Sequence, residues 1–563
     1  MDQDLGFITK GLSATGMATF YNRVYSAVYR SFTPFLYKLT DYSIDDAGNY
    51  SYVSESANTG TTYLGTSRGK DGYRELAFQV KLDYNRTFNE KHDVGATLVY
   101  HQKERMMHIS DSEEYAVLPY RQQGLAGRVT YGFDKRYLVE ANFGYNGSEN
   151  FAPGKRFGFF PSVAAGWVVS NEPFWRAIKD KVNLLKFRVS YGLVGNDVIS
   201  SEYADRFPYL TTVDMDQGYD VYIGTNHIRK YGPILSVYGN PDATWEESRK
   251  LDVGVEIGLF DSLNIIFDWF KEKRSGIFMQ RASLPSSFGM SNITPWANIG
   301  KVDNRGVDIS IDYNKAFSKD LILSLRGSFT YAHNEVVEMD EPAYKWDYLS
   351  KVGHPINSIN CLIAEGLFQD EEEIASSPEQ TFDEKLQPGD LKYADLNNDG
   401  LIDSNDQKVI GNSSPRFDYS VSINLRYRNF DFTIVGTGRA SYDTALTNKY
   451  FWNGWSTGTY SHFVRDNIGG DYPRLAYVKS NNNFQNSSFW LRDGGYFKIQ
   501  NVELGYNLRF RSQSVFKGLR VFLRGANLCT ISGIKDVDPE NINAGVTTYP
   551  LYRTFTAGFK FTF

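Results

Sequence analysis

With 563 residues, a formal charge of −6 and a mean hydropathy of −0.42, the chain is hydrophilic on average, yet 15% of it is aromatic. Its 60 basic and 66 acidic side chains are well mixed, leaving no basic stripe of the kind nucleic acid needs. No stretch approaches the roughly 18 consecutive apolar residues of a membrane helix, whereas alternating strands reconcile many aromatics with low hydropathy.

The N-terminal MDQDLGFITKGLS lacks the basic region and apolar core of a secretory signal. Cys361 and Cys529 lie too far apart for a disulfide framework or a zinc pair to be argued from spacing.

Along the chain, apolar residues recur with period two. Tyr137, Val139, Ala141, Phe143 and Tyr145 oppose Leu138, Glu140, Asn142 and Gly144, and Leu185, Phe187, Val189 and Tyr191 oppose Lys186, Arg188 and Ser190. Leu251, Val253, Val255, Ile257 and Leu259 alternate with Asp252, Gly254, Glu256 and Gly258. After Asp261-Ser262 the row resumes at Leu263, Ile265, Phe267 and Trp269, which predicts a hairpin with a very short turn. Later rows begin near Val307, Leu321, Phe417, Phe430, Val502, Leu519 and Phe555. The final row puts Phe555, Ala557, Phe559, Phe561 and Phe563 on one face, as a lipid-facing closing strand requires. Phe555, Phe559, Phe561 and Phe563 are therefore the expected signal to the barrel assembly machinery.

Tight turns such as 261–262 alternate with long polar stretches at 38–72, 271–300, 335–415 and 440–492. Short connections on one side and long ones on the other predict an all-β, transmembrane antiparallel barrel over residues 1–563, with about 16 to 19 strands and long extracellular loops. Arg188, Asp252, Glu256 and Asp308, opposite the apolar rows, then line the lumen. A pair of soluble β-sandwiches also alternates on one face, but its outward rows would not be this aromatic.

One constellation carries metal chemistry. Asp395, Asn397, Asp399, Asp403 and Asp406 stand at positions 1, 3, 5, 9 and 12 of an EF-hand-type or dockerin-like loop within 388–411, with Gly400 at position 6 and Ile402 at position 8. The carbonyl of Leu401 at position 7 adds a further oxygen, so calcium, in a loop-ordering role, is the ion this pattern would take. An Asx-rich turn whose carboxylates cap backbone amides is the competing reading. No other cofactor is required. The seven histidines are scattered, without HExxH or a partner for a nucleophilic Ser or Cys, so no enzymatic activity is expected. GTSRGKDG at 65–72 departs from a phosphate loop in its glycine spacing and in Asp71 after the Lys, and is read as loop. Aromatic clusters in the long loops make Trp346, Trp452, Trp455 and Tyr460 candidates for ligand or partner contact, beside the alternatives of loop packing and an interfacial girdle.

An ordered series of segments resembles the SusC/RagA-type TonB-linked outer-membrane proteins. The series runs RFGFFPSVAAGWVVSNEPFW (156–175), LKFRVSYGLVGND (185–197), NIGKVDNRGVDISID (298–312, with Asp308 in place of the usual Glu) and GLFQDEEEI (366–374). It continues with PGDLKYADLNNDGLIDSNDQKVIG (388–411), DGGYFKIQNVELGYNL (493–508), LRVFLRGANLCT (519–530), DPE (538–540) and YPLYRTFTAGFKFTF (549–563). The resemblance implies the C-terminal part of a plugged barrel of about 22 strands in the Gram-negative outer membrane. It also implies import of oligosaccharides or peptides, a SusD-like lipoprotein partner and energy from TonB. The family places an N-terminal domain, a plug and the first strands before the segment KGLSATGMATF at 10–20, which already resembles an early-to-middle barrel strand. This sequence is therefore expected to be an N-terminally truncated barrel, Met1 being an internal start or the edge of an incomplete reading frame. A plugless porin-like barrel, a secreted glycan-binding protein and a nonfunctional fragment are the alternatives.

Overall fold

The computed structural model describes residues 2–107, 118–199, 206–215, 221–223, 228–230, 232–284, 287, 293, 295–383, 385–452, 472–474, 480–510 and 517–563. Among them, 17 strands form one sheet. They are β1 (Asp2–Asp4), β2 (Leu12–Ser31), β3 (Gly65–Phe88), β4 (His92–Met107), β5 (Tyr120–Phe133) and β6 (Tyr137–Ser148). Next come β7 (Phe157–Val168), β8 (Val182–Asn196), β9 (Glu246–Leu259), β10 (Leu263–Gln280), β11 (Trp296–Ala316) and β12 (Leu321–Glu338). The last five are β13 (Phe417–Tyr427), β14 (Phe430–Ala440), β15 (Tyr496–Arg509), β16 (Gly518–Ser532) and β17 (Thr554–Thr562). Each pairs antiparallel with the next, giving an up-and-down meander rather than two packed sheets. The observed strand number falls inside the range expected from the apolar rows.

Residues paired directly across strands share a face, so the register sorts side chains into two walls. Phe187, Val255, Phe267 and Ile309 form one outward row across β8 to β11; one residue away, Arg188, Gly254, Asp268 and Asp308 form an inward row. At the other end of the sheet, Phe559, Val521 and Tyr506 continue the apolar wall, and Lys560, Arg520 and Asn507 the polar one. The alternation read from the sequence is therefore the wall itself.

Tight turns close one end of the sheet, and consecutive left-handed residues make them: Asn89 and Glu90, Asp134 and Lys135, Phe260 and Asp261. Two successive positive φ values match the right-handed twist of the flanking strands. The turn expected at Asp261-Ser262 thus starts one residue earlier, with Phe260 at φ 53°.

At the opposite end, strands run further than polar composition suggests. The connection after β2 is 32–64 rather than 38–72, and holds its own hairpin of Tyr37–Ile44 with Tyr50–Ser56. GTSRGKDG at 65–72 is consequently strand, not loop. The next overestimate is similar, since β10 extends to Gln280 and β11 starts at Trp296. Where a ribbon leaves the bilayer both faces are solvated, and the apolar alternation that marks a strand disappears.

Compact cores lie in the long connections. Leu362, Leu391, Tyr393 and Ile402 form one, and Leu446, Phe451, Trp490, Ile534 and Val537 another; Phe489 packs against both.

Candidate functional site

The inward wall is charged and internally paired. Lys186 Nζ lies 3.0 Å from Glu256 Oε1, Arg188 Nη2 2.5 Å from Asp268 Oδ2, and Arg326 Nε 2.5 Å from Asp312 Oδ1. Arg520 joins Asp431 and Glu503, and Arg524 Nη2 lies 2.5 Å from the second Glu503 oxygen. Near the tight-turn end, Asn85, Thr87, Asp93, Glu140, Lys186 and Arg188 border a recess of about 570 Å³. Paired cations and anions make this surface wet and polar without leaving a single-sign field across it.

Over the other end, the described residues of the connections 339–416, 441–495 and 533–553 pack together as a cap. At its centre Asp390, fully buried, accepts from Asn483 Nδ2 (2.7 Å) and the Gln387 backbone N–H (2.8 Å), with Arg474 Nε 2.7 Å away. Burying a carboxylate is tolerated only with such compensation. Gln380 Nε2 donates to Asn482 Oδ1 (2.8 Å), and Tyr393 Oη donates to the Asn482 carbonyl (2.6 Å). Burial pushes the Tyr393 phenol well above its ordinary value. The cap is tied to the wall at Lys498 on β15, whose buried ammonium donates to Asp538 (3.1 Å) and Glu540 (2.7 Å) of the final connection.

The acidic loop sits within this cap. Asp395 accepts from the backbone N–H groups of Asn398 (2.6 Å) and Gly400 (2.9 Å), and Asn397 from Asp399 (2.8 Å). Asp399 accepts from Leu401 (2.9 Å), Asp403 from Asn405 (2.6 Å), and the fully buried Asp406 from Leu396 (2.8 Å) and Asp403 (2.9 Å). Asn398 (φ 58°) and Gly400 (φ 86°) are left-handed, which lets the backbone curl around these oxygens. Among the described residues no three His, Cys, Asp or Glu side chains are grouped as a metal would need.

The sequence-picked aromatics separate. Trp346 stacks on Tyr348 at 6.4 Å, with Lys345 Nζ 4.4 Å from its ring centroid, and Tyr348 Oη donates to the Asn405 carbonyl at 2.7 Å. The stack therefore leans on the acidic loop, and burial together with the carboxylates of Asp406, Asp395, Asp399 and Asp403 holds the Tyr348 phenol above its usual range. Trp452 is packed inside the cap, 5.6 Å from Phe484 and 6.2 Å from Trp490. Trp455 and Tyr460 lie outside the described residues. Phe555, Phe559 and Phe561 line the outward face of β17, opposite Gly525, Val521 and Leu519, and Phe563 follows the strand exposed. Sequence reasoning missed Lys498, Asp390 and Arg474; the DPE segment at 538–540 was visible, but its partner on a distant strand was not.

Comparison with known proteins matches this architecture. The family described as TonB dependent receptor-like, beta-barrel matches residues 5–528. TonB-dependent receptor P3 of Formosa agariphila is 28% identical over 486 residues, covering 78% of this chain and 45% of that protein. TonB-dependent receptor SusC of Bacteroides thetaiotaomicron is 25% identical over 470 residues, covering 78% and 43%. The chain thus spans about half the length of the curated relatives it matches. In fold it resembles the RagAB peptide transporter, with TM-score 0.72 at 18% identity, over 98% of this chain and 60% of that one. With strands, walls and family match in agreement, the chain belongs to the TonB-dependent receptor β-barrel family and is an outer-membrane β-barrel protein.

Proposed function

We propose that this chain supplies the wall and extracellular cap of a TonB-driven importer for oligosaccharides or peptides, working with a SusD-like lipoprotein lid. The observation that carries the reading is the pairing of a charged inner wall with a cap built from three connections and pinned to the wall at Lys498. A passive pore needs an open mouth, whereas an ordered cap with a core suits a gated one. The name of one structural relative, the RagAB peptide transporter, supports the peptide class, and the resemblance to SusC-type proteins implies the oligosaccharide class. Tyr344, which is exposed, is the aromatic face suited to stacking on a sugar ring or a peptide side chain, and the half-buried Trp346 on Tyr348 offers only its edge. The Phe563 end serves as assembly signal, and the Asp395–Asp406 loop, already held by its own carboxylate-to-amide bonds, is where calcium would bind.

Growth tests the reading. Deleting the gene in its host is expected to abolish growth on one class of oligosaccharide or peptide as sole carbon source, with growth on simple sugars intact and restored by complementation. Undiminished growth on all such polymers would refute it.

A further inference from the structure

The outward wall carries a groove at the tight-turn end of β2 to β6. It has a volume of about 400 Å³. Two register rows build it. Leu12, Tyr84, Ala96, Val129 and Ala141 lie on adjacent strands in one; Leu82, Leu98, Gly127 and Phe143 form the next. The small residues Ala96 and Ala141 make the floor between larger neighbours. Phe143 lies across Gly127 so closely that a Cβ there would meet its ring at 2.2 Å. The groove crosses five strands, a span of roughly 19 Å at ordinary strand spacing.

Its surroundings place it in the membrane. One row nearer the tight turns, Arg86 points outward beside Tyr84, Phe88 and Val94, all uncharged. Its guanidinium sits 4.6 Å from the Phe88 ring centroid. Beyond it, His92, Phe133 and Tyr137 continue an aromatic band, with His92 Nδ1 2.9 Å from Tyr131 Oη. Aromatic bands mark the interface of a transmembrane barrel, and tight turns mark the periplasmic side. A cation at headgroup depth beside an apolar trough has the charge and shape of one lipid. Hydrocarbon leaves no void against a barrel, because unfilled space forfeits dispersion contacts.

We propose that this groove holds one acyl chain of a phospholipid from the periplasmic leaflet, with its phosphate at Arg86. The chain lies over Ala96 and Ala141, against Leu98, Val129 and the Phe143 ring that covers Gly127. The full-length protein, titrated with phosphatidylglycerol in detergent and examined by native mass spectrometry, tests it. Wild type is expected to retain one lipid that survives removal of detergent. Ala96→Leu/Ala141→Leu, which fills the trough, is expected to weaken retention about tenfold. Arg86→Gln is expected to weaken it without altering the trough, and Val421→Leu, outward on β13, to leave it unchanged. Glycerol phosphate, which has the headgroup but no chain, is expected not to be retained. Heat-modifiable migration on gels verifies that each variant is folded. Equal retention by wild type and the filled variant, or retention of glycerol phosphate as tight as that of the lipid, would overturn the proposal.

Discussion

Arg188 holds Asp268 across an intervening strand: Nη2 lies 2.5 Å from Oδ2, although one residue is on β8, the other on β10, and β9 runs between them. Gly254 makes the crossing available. A Cβ at that position would sit 2.2 Å from Asp268 Oδ1 and 2.5 Å from Arg188 Nε. The same device recurs where Arg520 on β16 reaches Asp431 on β14 over Gly505. Inward glycines are thus the windows through which charges two strands apart neutralise each other.

Gly254→Val closes the first window. Because the Arg188 side chain is 38% exposed, the ion pair itself contributes only about 1 kcal/mol. Crowding adds a similar amount, so a loss of about 2 kcal/mol is expected. A fall in the temperature of the heat-modifiable gel shift measures it, and Gly254→Ser, with a smaller side chain, should fall less. Equal shifts for both would remove the steric part of the explanation.

Lys498→Met leaves Asp538 and Glu540 facing each other without a cation. Those carboxylates are partly exposed, with side chains 22% and 38% accessible, so the cost is about 2 kcal/mol rather than the full penalty of a buried pair. The final connection is expected to become protease-sensitive between Ile534 and Pro550 while the sheet stays intact. Lys498→Arg should retain most of the protection.

Thiol chemistry separates the two cysteines. Cys361 is 2% exposed, and burial, with the nearby Asp443 carboxylate, pushes its thiol from 9.0 up to about 11. Folded protein at pH 8 is expected to give one reactive thiol, the exposed Cys529, and a second only on denaturation. Since the folded thiol holds its proton more tightly than the unfolded one, its contribution to cap stability is complete below pH 9 and is lost as pH rises toward about 11. Thermal melts followed by tryptophan emission should show this loss, and Cys361→Ala should flatten that pH window.

For calcium, the proposal rests on lone pairs. Each carboxylate of the Asp395–Asp406 loop is bonded to backbone N–H groups, but a carboxylate has more lone-pair sites than those bonds occupy. Calorimetry on the full-length protein is expected to show modest affinity, lost in Asp395→Ala/Asp399→Ala. Identical heats for the two proteins would dismiss the site.

The wall was legible in the sequence because its environment is periodic. Phe187, Val189 and Tyr191 face lipid while Lys186, Arg188 and Ser190 face the lumen, so a single strand displays both solvents in alternation. Strand ends were not legible, since from Val24 to Ser31 and from Gly65 to Gly72 the two faces no longer differ in polarity. Contacts within the cap were illegible for another reason: Lys498 and Asp538, or Asp390 and Arg474, are brought together by the course of long connections, and no local pattern announces such pairs.

Every strand of the sheet has its sequence neighbours as its spatial neighbours. A wall wired in this way is modular at the level of the gene. Copying or excising the stretch that encodes one hairpin alters the circumference by two strands while every other connection keeps its partner, so pore width can evolve in hairpin-sized steps. A Greek-key sheet, whose connections skip strands, offers no such increment.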